Sequence, residues 1–240
     1  ELRSAAQIYQ PGRAIIEIDG PAQVILPSGN PLTVAWESFR SGIKASLSGP
    51  ETLSVEGKTV TVTQPGTREA VGRASNVQFH SRKFAENDVD VAVSFDDLNA
   101  AFTPDTWNSN IQLQMQDAYR GILAERSLLR FAIAKGVKGE IQDLTLESNA
   151  GSRIQIKGPF SVSRTGRLSG KFAVSMANLD SIANLANTII PAAAPVISDI
   201  LAGIKVLSGG NGSEFNVTLE ASDGKLSFGF IPLGTIPPLF

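Results

Sequence analysis

The chain has 240 residues, 42% of them hydrophobic, and a net charge of −2 from 21 basic and 23 acidic side chains. Such a chain is long and apolar enough to bury a sizeable core, which excludes general disorder. The balanced charge excludes the electrostatic signature of nucleic-acid binding, so no nucleic-acid partner is expected. The chain contains no cysteine and one histidine, which argues against disulfides and most metal sites, and no cofactor is expected.

Alternation of apolar and polar residues predicts many short β-strands. Each run is bounded by Gly, Pro or Asn, and the connections are mostly too short for helical crossovers, which favours antiparallel pairing. These predicted strands span residues 14–18, 23–26, 32–36, 43–47, 53–55, 59–63, 76–81, 88–95, 111–116 and 141–147.

One helix is predicted over residues 123–136, LAERSLLRFAIAKG. The composition favours a helix, and Gly136 stands where a helix-terminating glycine is typical. We expect the apolar side of this helix to fill the hollow of the sheet. The residues of that side are Leu128, Leu129, Ala132 and Ile133.

A kinked helical pair is predicted over residues 180–208, with Asp180 or Ser181 as the N-cap and a break at Pro191. Prolines and polar residues in this segment argue against a membrane span. Its apolar stripe either packs on the concave face of the sheet or closes over a cavity that holds an apolar ligand. The candidate ligand-binding residues are Leu185, Ile189, Ile197, Ile200, Leu201 and Ile204.

Two hairpins are the strongest local signals. The first joins residues 154–162 to 168–176 through a turn near Gly166. The second joins residues 215–221 to 226–230 through Asp223-Gly224, a dipeptide typical of two-residue hairpin turns. The run IPLGTIPPLF that follows contains three prolines, so we expect it to pass over the core and cover a sheet edge rather than pair as a central strand.

Residues 91–100 (VAVSFDDLNA) align without gaps to residues 172–181 (FAVSMANLDS). The similarity indicates either two related halves, about 1–110 and 111–240, within a single β-rich domain, or a chance likeness of two amphipathic strands. The predicted fold class is α+β and β-rich: a long, twisted, mostly antiparallel sheet curled around two helical segments.

His80 and residues 57–59 are residue types found in catalytic or phosphate-binding sites, but each has a simpler structural interpretation. His80 lies in an alternating strand pattern, so we expect a solvated strand residue. Gly57-Lys58-Thr59 resembles the end of a phosphate-binding loop, yet its surroundings predict a hairpin.

The carboxylate groups Asp96-Asp97 and Glu86, Asp88 and Asp90 lack the spacing of a calcium loop. We expect them at a solvated strand edge and turn. No catalytic residue and no metal ligand is predicted, and the protein is not expected to be an enzyme. A hydrolase whose polar groups converge only in space is a further alternative.

Three stretches carry a family resemblance: SAAQIYQPGRAIIEIDGPAQVILPSGNPLTVAWESFR, GEIQDLTLES and ASDGKLSFGFIPLGTIPPL. Together they resemble the domain of unknown function 2125 family, uncharacterised proteins of alphaproteobacteria. The resemblance implies a periplasmic, cell-envelope location and an N-terminal signal or anchor that is absent here, where the chain begins at Glu1. The strand pattern is also similar to that of AsmA-like envelope proteins, whose curved sheets are associated with lipid handling.

We therefore expect a non-enzymatic periplasmic protein, anchored to or exported across the inner membrane, that binds an apolar or lipid-like ligand between sheet and helices. The alternative is a structural or assembly module that docks an envelope protein through a sheet edge or through the apolar C-terminal tail, residues 231–240.

Overall fold

The computed structural model describes residues 2–6, 12–25, 31–47, 49–64, 70–101, 105–178, 198, 199, 201–203 and 214–240. The strands in these ranges are β1 (Leu2–Ala6), β2 (Arg13–Ile18), β3 (Ala22–Ile25), β4 (Pro31–Ala35), β5 (Ser38–Ser46), β6 (Gly49–Thr63), β7 (Ala70–Phe84), β8 (Asp88–Ala100), β9 (Thr106–Met115), β10 (Val137–Ser148), β11 (Arg153–Val162), β12 (Leu168–Ala177), β13 (Glu214–Ser222), β14 (Lys225–Phe228) and β15 (Ile231–Thr235). The helices are α1 (Tyr119–Glu125) and α2 (Leu128–Lys135).

The strands belong to one large, open, antiparallel sheet, so the predicted β-rich antiparallel fold is confirmed. The main strand order is β1-β2-β5-β6-β7-β8-β9-β10-β11-β12-β13-β14-β15, and β4 pairs with both β3 and β6. Strands that are neighbours in sequence are mostly neighbours in the sheet, as short connections require.

The chain divides into two compact units, the first being Glu1–Lys83 with Val91–Asn110. Its longest strands are β6 and β7. The course of β6 shows that the hairpin predicted around residues 57–59 is wrong. Residues 57–59 form no hairpin, because β6 runs through them without a turn. Lys58 pairs with Asn76 and Val60 with Ala74, while Thr59, with φ 52°, is left out of the register. The register is the same on both sides of Thr59, so no residue is inserted there, and the strand continues through one residue in the left-handed region.

The second unit comprises Phe84–Asp90 and Ile111–Phe240. Both predicted hairpins are confirmed there: β11 pairs with β12, and β13 with β14. Asp223 and Gly224 have φ of 51° and 82°, the positive values that a tight hairpin turn of this kind needs. A buried hydrophobic cluster lies on one face of β12–β14 and consists of Phe172, Val174, Met176, Leu201, Phe215, Leu219, Ala221 and Leu226.

The predicted helix over residues 123–136 is wrong in its extent, because two shorter helices replace it. Arg126 has φ 54°, which ends α1, and the Ser127 side chain accepts a hydrogen bond from the Arg130 N–H at the start of α2. An N-cap serine inside the predicted segment starts a new helix. Gly136 ends α2 as predicted, with φ 76° and its N–H donated to the Ala132 carbonyl.

The predicted helical pair over 180–208 is described only at residues 198, 199 and 201–203, all of which are helical. The cap at Asp180 or Ser181 and the break at Pro191 lie outside the described residues.

The run that ends the chain begins as a paired strand. Ile231–Thr235 is β15, which pairs with β14 and stands last in the strand order. It therefore covers the edge of β14, as a terminal strand rather than a central one. Beyond it, the Leu239 N–H donates to the Gly166 carbonyl at 3.0 Å, which fixes the tail to the β11–β12 turn.

Candidate functional site

A cleft of about 620 Å³ lies in the second unit, between the two helices and strands β10–β12. We call it the helix–sheet cleft. Gly121 of α1 and Phe131 and Lys135 of α2 line its helical side. Its volume falls within the roughly 300–1,000 Å³ typical of small-molecule sites.

Close packing of the helices forms the apolar wall of the cleft. The Phe131 ring lies directly against Gly121, where any side chain on residue 121 would collide with it. Gly136 then turns the chain from α2 into β10 with a positive φ, and a Cβ there would meet the Val162 carbonyl oxygen at 2.7 Å. Glycine at both positions thus lets the helices and β11 approach each other closely.

The sheet side of the cleft is a polar row across three strands. Lys138 on β10 is the register partner of Ser161 on β11, and Ser161 is the partner of Ser169 on β12. Side chains of directly opposed residues share one face of a sheet, and all three line the cleft. The Ser169 hydroxyl accepts the Asp223 N–H at 2.8 Å, and its own proton remains to be donated.

Three cationic side chains converge on the cleft: Lys135, Lys138 and Arg167. Asp117 is the one carboxylate among its described lining residues, so the net charge of the lining is +2, three positive charges against one negative. Arg167 is held by Asp223, with Nη1 donating to the Asp223 carbonyl at 3.3 Å and Nε 3.9 Å from its carboxylate. The cleft is therefore cationic on a chain whose net charge is −2.

The two helices that bound the cleft also carry an apolar surface, which reaches the side of the cleft at Leu128, three residues before Phe131. It consists of four large side chains that are exposed: Leu123, Leu128, Leu129 and Ile133. We call it the apolar helix surface. The predicted core-facing set is wrong for Leu128, Leu129 and Ile133, of which Leu129 is 54% exposed, and correct for Ala132. The other buried residue of α2 is Phe131, whose ring packs on Gly121 of α1, so the buried side of α2 is formed by residues 131 and 132 rather than by the larger leucines.

The six residues predicted to bind ligand fall mostly outside the described chain. Leu185, Ile189, Ile197, Ile200 and Ile204 lie outside the described residues. Leu201 is 6% exposed and belongs to the core on β12–β14.

His80, Asp96 and Asp97 belong to the first unit and are not among the residues that line the cleft. His80 is exposed on β7, opposite Ser54, as predicted. Asp96 and Asp97 are exposed on β8, where Asp97 has φ 52° and accepts the Ser75 hydroxyl at 2.9 Å. Hydrogen bonds of these aspartates therefore stabilise β8 where its backbone is irregular, at Asp97.

The acids near residue 88 bind protein groups instead of converging on one point. The Asp88 carboxylate accepts the Asp117 N–H at 2.9 Å, and Asp90 accepts Gln114 Nε2 at 3.4 Å. Glu86 is exposed.

Sequence reasoning missed the helix–sheet cleft. The only local signal was the run Lys-Gly-Val-Lys at 135–138, two lysines beside a helix-ending glycine. Arg167 and the serines come from separate strands, so only the sheet register brings them to Lys138.

Among the helices that the structure describes, none has the length and apolarity to cross a membrane. A family model described as an uncharacterised protein conserved in bacteria, DUF2125, matches residues 1–237. No curated protein and no solved structure matches the chain.

Proposed function

The chain belongs to the DUF2125 family of uncharacterised bacterial proteins, and from that premise we propose that it is a non-enzymatic periplasmic protein that binds an apolar or lipid-like ligand in the helix–sheet cleft. The observation that carries this proposal is a cleft of ligand size bounded by two helices that also expose an apolar surface. Exposed apolar side chains that cluster next to a cavity are typical of binding sites.

Location and shape are further parts of the proposal. We infer that the natural protein is exported to the periplasm or anchored in the inner membrane by a signal segment, and that the sheet curls around its helical segments. Leu201 supports the second point, since the helical residues 201–203 contribute a buried side chain to the face of β12–β14. Fractionation of the bacterium that encodes the protein tests the location, and recovery in the cytoplasm would contradict it.

Ligand uptake is the direct test of binding. Native mass spectrometry of protein purified from cells should show co-purified lipid, and titration with a fluorescent fatty acid should saturate. A triple substitution of Leu128, Leu129 and Ile133 to Asn should abolish uptake without unfolding the chain, because these side chains are exposed.

A matched control lies in the first unit, where Ile25 and Leu47 are also large, apolar and exposed. Substitution of both to Asn should leave uptake intact. Absence of co-purified lipid together with absence of uptake in the unaltered protein would refute the proposal.

One observation favours a second function, docking of an envelope protein. β15 stands last in the strand order, and beside it Phe230 is 97% exposed and Ile231 is also exposed. A terminal strand offers backbone groups to an added strand, and exposed apolar residues give it affinity. Phe230→Ser should then remove a partner cross-linked in cells while fatty-acid uptake persists. Loss of uptake with no change in cross-linking would instead exclude docking through this edge.

A further inference from the structure

The ion pairing of lysines differs between the cleft and positions further along β11 and β12. Lys157 Nζ lies 3.6 Å from an Asp143 carboxylate oxygen, and Lys171 Nζ lies 3.0 Å from one of Glu220. Within the described part of the chain, no ion pair joins Lys135 or Lys138 to a carboxylate. These two cleft lysines therefore keep their ammonium groups available to an external anion.

Hydroxyl donors stand beside these ammonium groups. Ser161, directly opposite Lys138, makes no side-chain hydrogen bond to any described residue, and the Ser169 hydroxyl has a proton left to donate. A phosphate or carboxylate needs several donors that converge on its oxygens, and charged donors give the strongest of these bonds. Lys135, Lys138 and the two serines supply such a set.

Arg167 contributes a third cation that is already oriented. Its two contacts to Asp223 and the hydrogen bond from its own N–H to the Ser163 hydroxyl at 3.1 Å fix the turn that carries it. A guanidinium has five N–H donors, so these contacts leave others for a ligand.

We propose that the helix–sheet cleft binds the anionic headgroup of a single-chain amphiphile, a long-chain phosphate or carboxylate, while the chain leaves the cleft past Leu128 toward the apolar helix surface. This rests on the proposed function and adds the charge of the ligand and the position of its head. Lys135, Lys138 and Arg167 hold the anion, Phe131 contacts the start of the chain, and Leu128 contacts the chain where it leaves the cleft.

Calorimetric titration of the 240-residue protein with four probes tests the proposal. The probes are dodecyl phosphate, dodecyl maltoside as the neutral molecule of equal chain length, inorganic phosphate as the head without a chain, and phosphatidylglycerol vesicles. Dodecyl phosphate should bind at least about tenfold more tightly than the other small probes, and more weakly as salt is added, because exposed charges are screened.

Lys135→Met combined with Lys138→Met should weaken the binding of dodecyl phosphate about ten- to hundredfold, the usual effect of losing charged hydrogen bonds. The affinity for dodecyl maltoside should not change. Lys157→Met combined with Lys171→Met removes the same charge from paired lysines and should change neither.

The contrary outcomes are distinct. Equal affinity for dodecyl phosphate and dodecyl maltoside would contradict recognition of an anionic headgroup and leave the proposed function standing. Equal affinity for dodecyl phosphate and inorganic phosphate would overturn the role of the chain. Binding to vesicles alone would indicate a membrane surface instead of a monomeric ligand. Binding of no probe would overturn this inference and the proposed function together.

Discussion

The ring of Phe131 on α2 packs directly on the backbone of Gly121 on α1, with no room for a side chain between them. Phe131 is also one of the two buried residues of α2 and lines the helix–sheet cleft. The same contact thus joins the helices and shapes the wall of the cleft.

Gly121→Ala should therefore destabilise the protein by about 1–3 kcal/mol, because the added methyl group displaces the Phe131 ring and overpacks the contact. Thermal unfolding measures the effect. Gly203→Ala is the matched control, since Gly203 is also helical and its added Cβ would meet only Leu233 at 4.0 Å. Alanine is the better helix former, so the control should be neutral or slightly stabilising. Equal changes at both positions would contradict the packing of Phe131 on Gly121.

Leu201→Ala tests the packing of the helical residues 201–203 on the core. Leu201 is buried with Phe172 and Phe215, so its truncation should lower the free energy of unfolding by about 2–5 kcal/mol. Leu129→Ala removes the same atoms from an exposed position and should cost less than about 0.5 kcal/mol. Urea denaturation compares the two variants. A small loss at Leu201 would mean that this helical segment contributes little to the core.

Sequence patterns predicted the hairpins of the second unit, because the signals for a hairpin are local. They did not predict which residues of α2 are buried. The Asp223-Gly224 turn and the alternation on either side determine a hairpin within about fifteen residues, and the structure contains it. The burial of α2 depends on which neighbours surround it. Helical periodicity cannot tell Leu129, which is exposed, from Ala132, which is buried.

The cleft is harder to predict for the same reason. Lys138, Ser161 and Ser169 are unremarkable in their own strands and meet only through the register of three strands. Thr59 shows the complementary error: a local glycine signal suggested a turn, while pairing with β5 and β7 keeps β6 continuous through this residue.

Glu51 provides a pH-dependent test in the first unit. The hydrogen bond from Lys44, whose Nζ lies 2.6 Å from the carboxylate, lowers the pKa of Glu51, with smaller contributions from the Ser46 hydroxyl and the positive charges nearby. Because the folded-state pKa is depressed, the stabilisation is complete above the unfolded-state pKa and is lost as pH falls through the folded-state pKa.

Lys44→Met should raise the pKa of Glu51 back toward its ordinary value, as followed by NMR titration of the carboxyl carbon. Lys58→Met is the control, because Lys58 lies 4.0 Å from Glu56 and should not change the Glu51 titration. An unchanged pKa of Glu51 in Lys44→Met would show that this ion pair does not form in solution.

The attachment of the C-terminal tail can be isolated with two glycines of similar conformation. Gly166 and Gly151 have φ of +75° and +83°, so alanine strains the backbone at both, at a cost of about 1–2 kcal/mol. A Cβ on Gly166 would also meet the Phe240 oxygen at 2.8 Å and the Leu239 nitrogen at 2.9 Å, whereas nothing lies within 4 Å of one on Gly151. Gly166→Ala should therefore speed hydrogen exchange of the Leu239 amide, which donates to the Gly166 carbonyl, and Gly151→Ala should not. Equal exchange at Leu239 in both variants would show that the tail is not held at this turn.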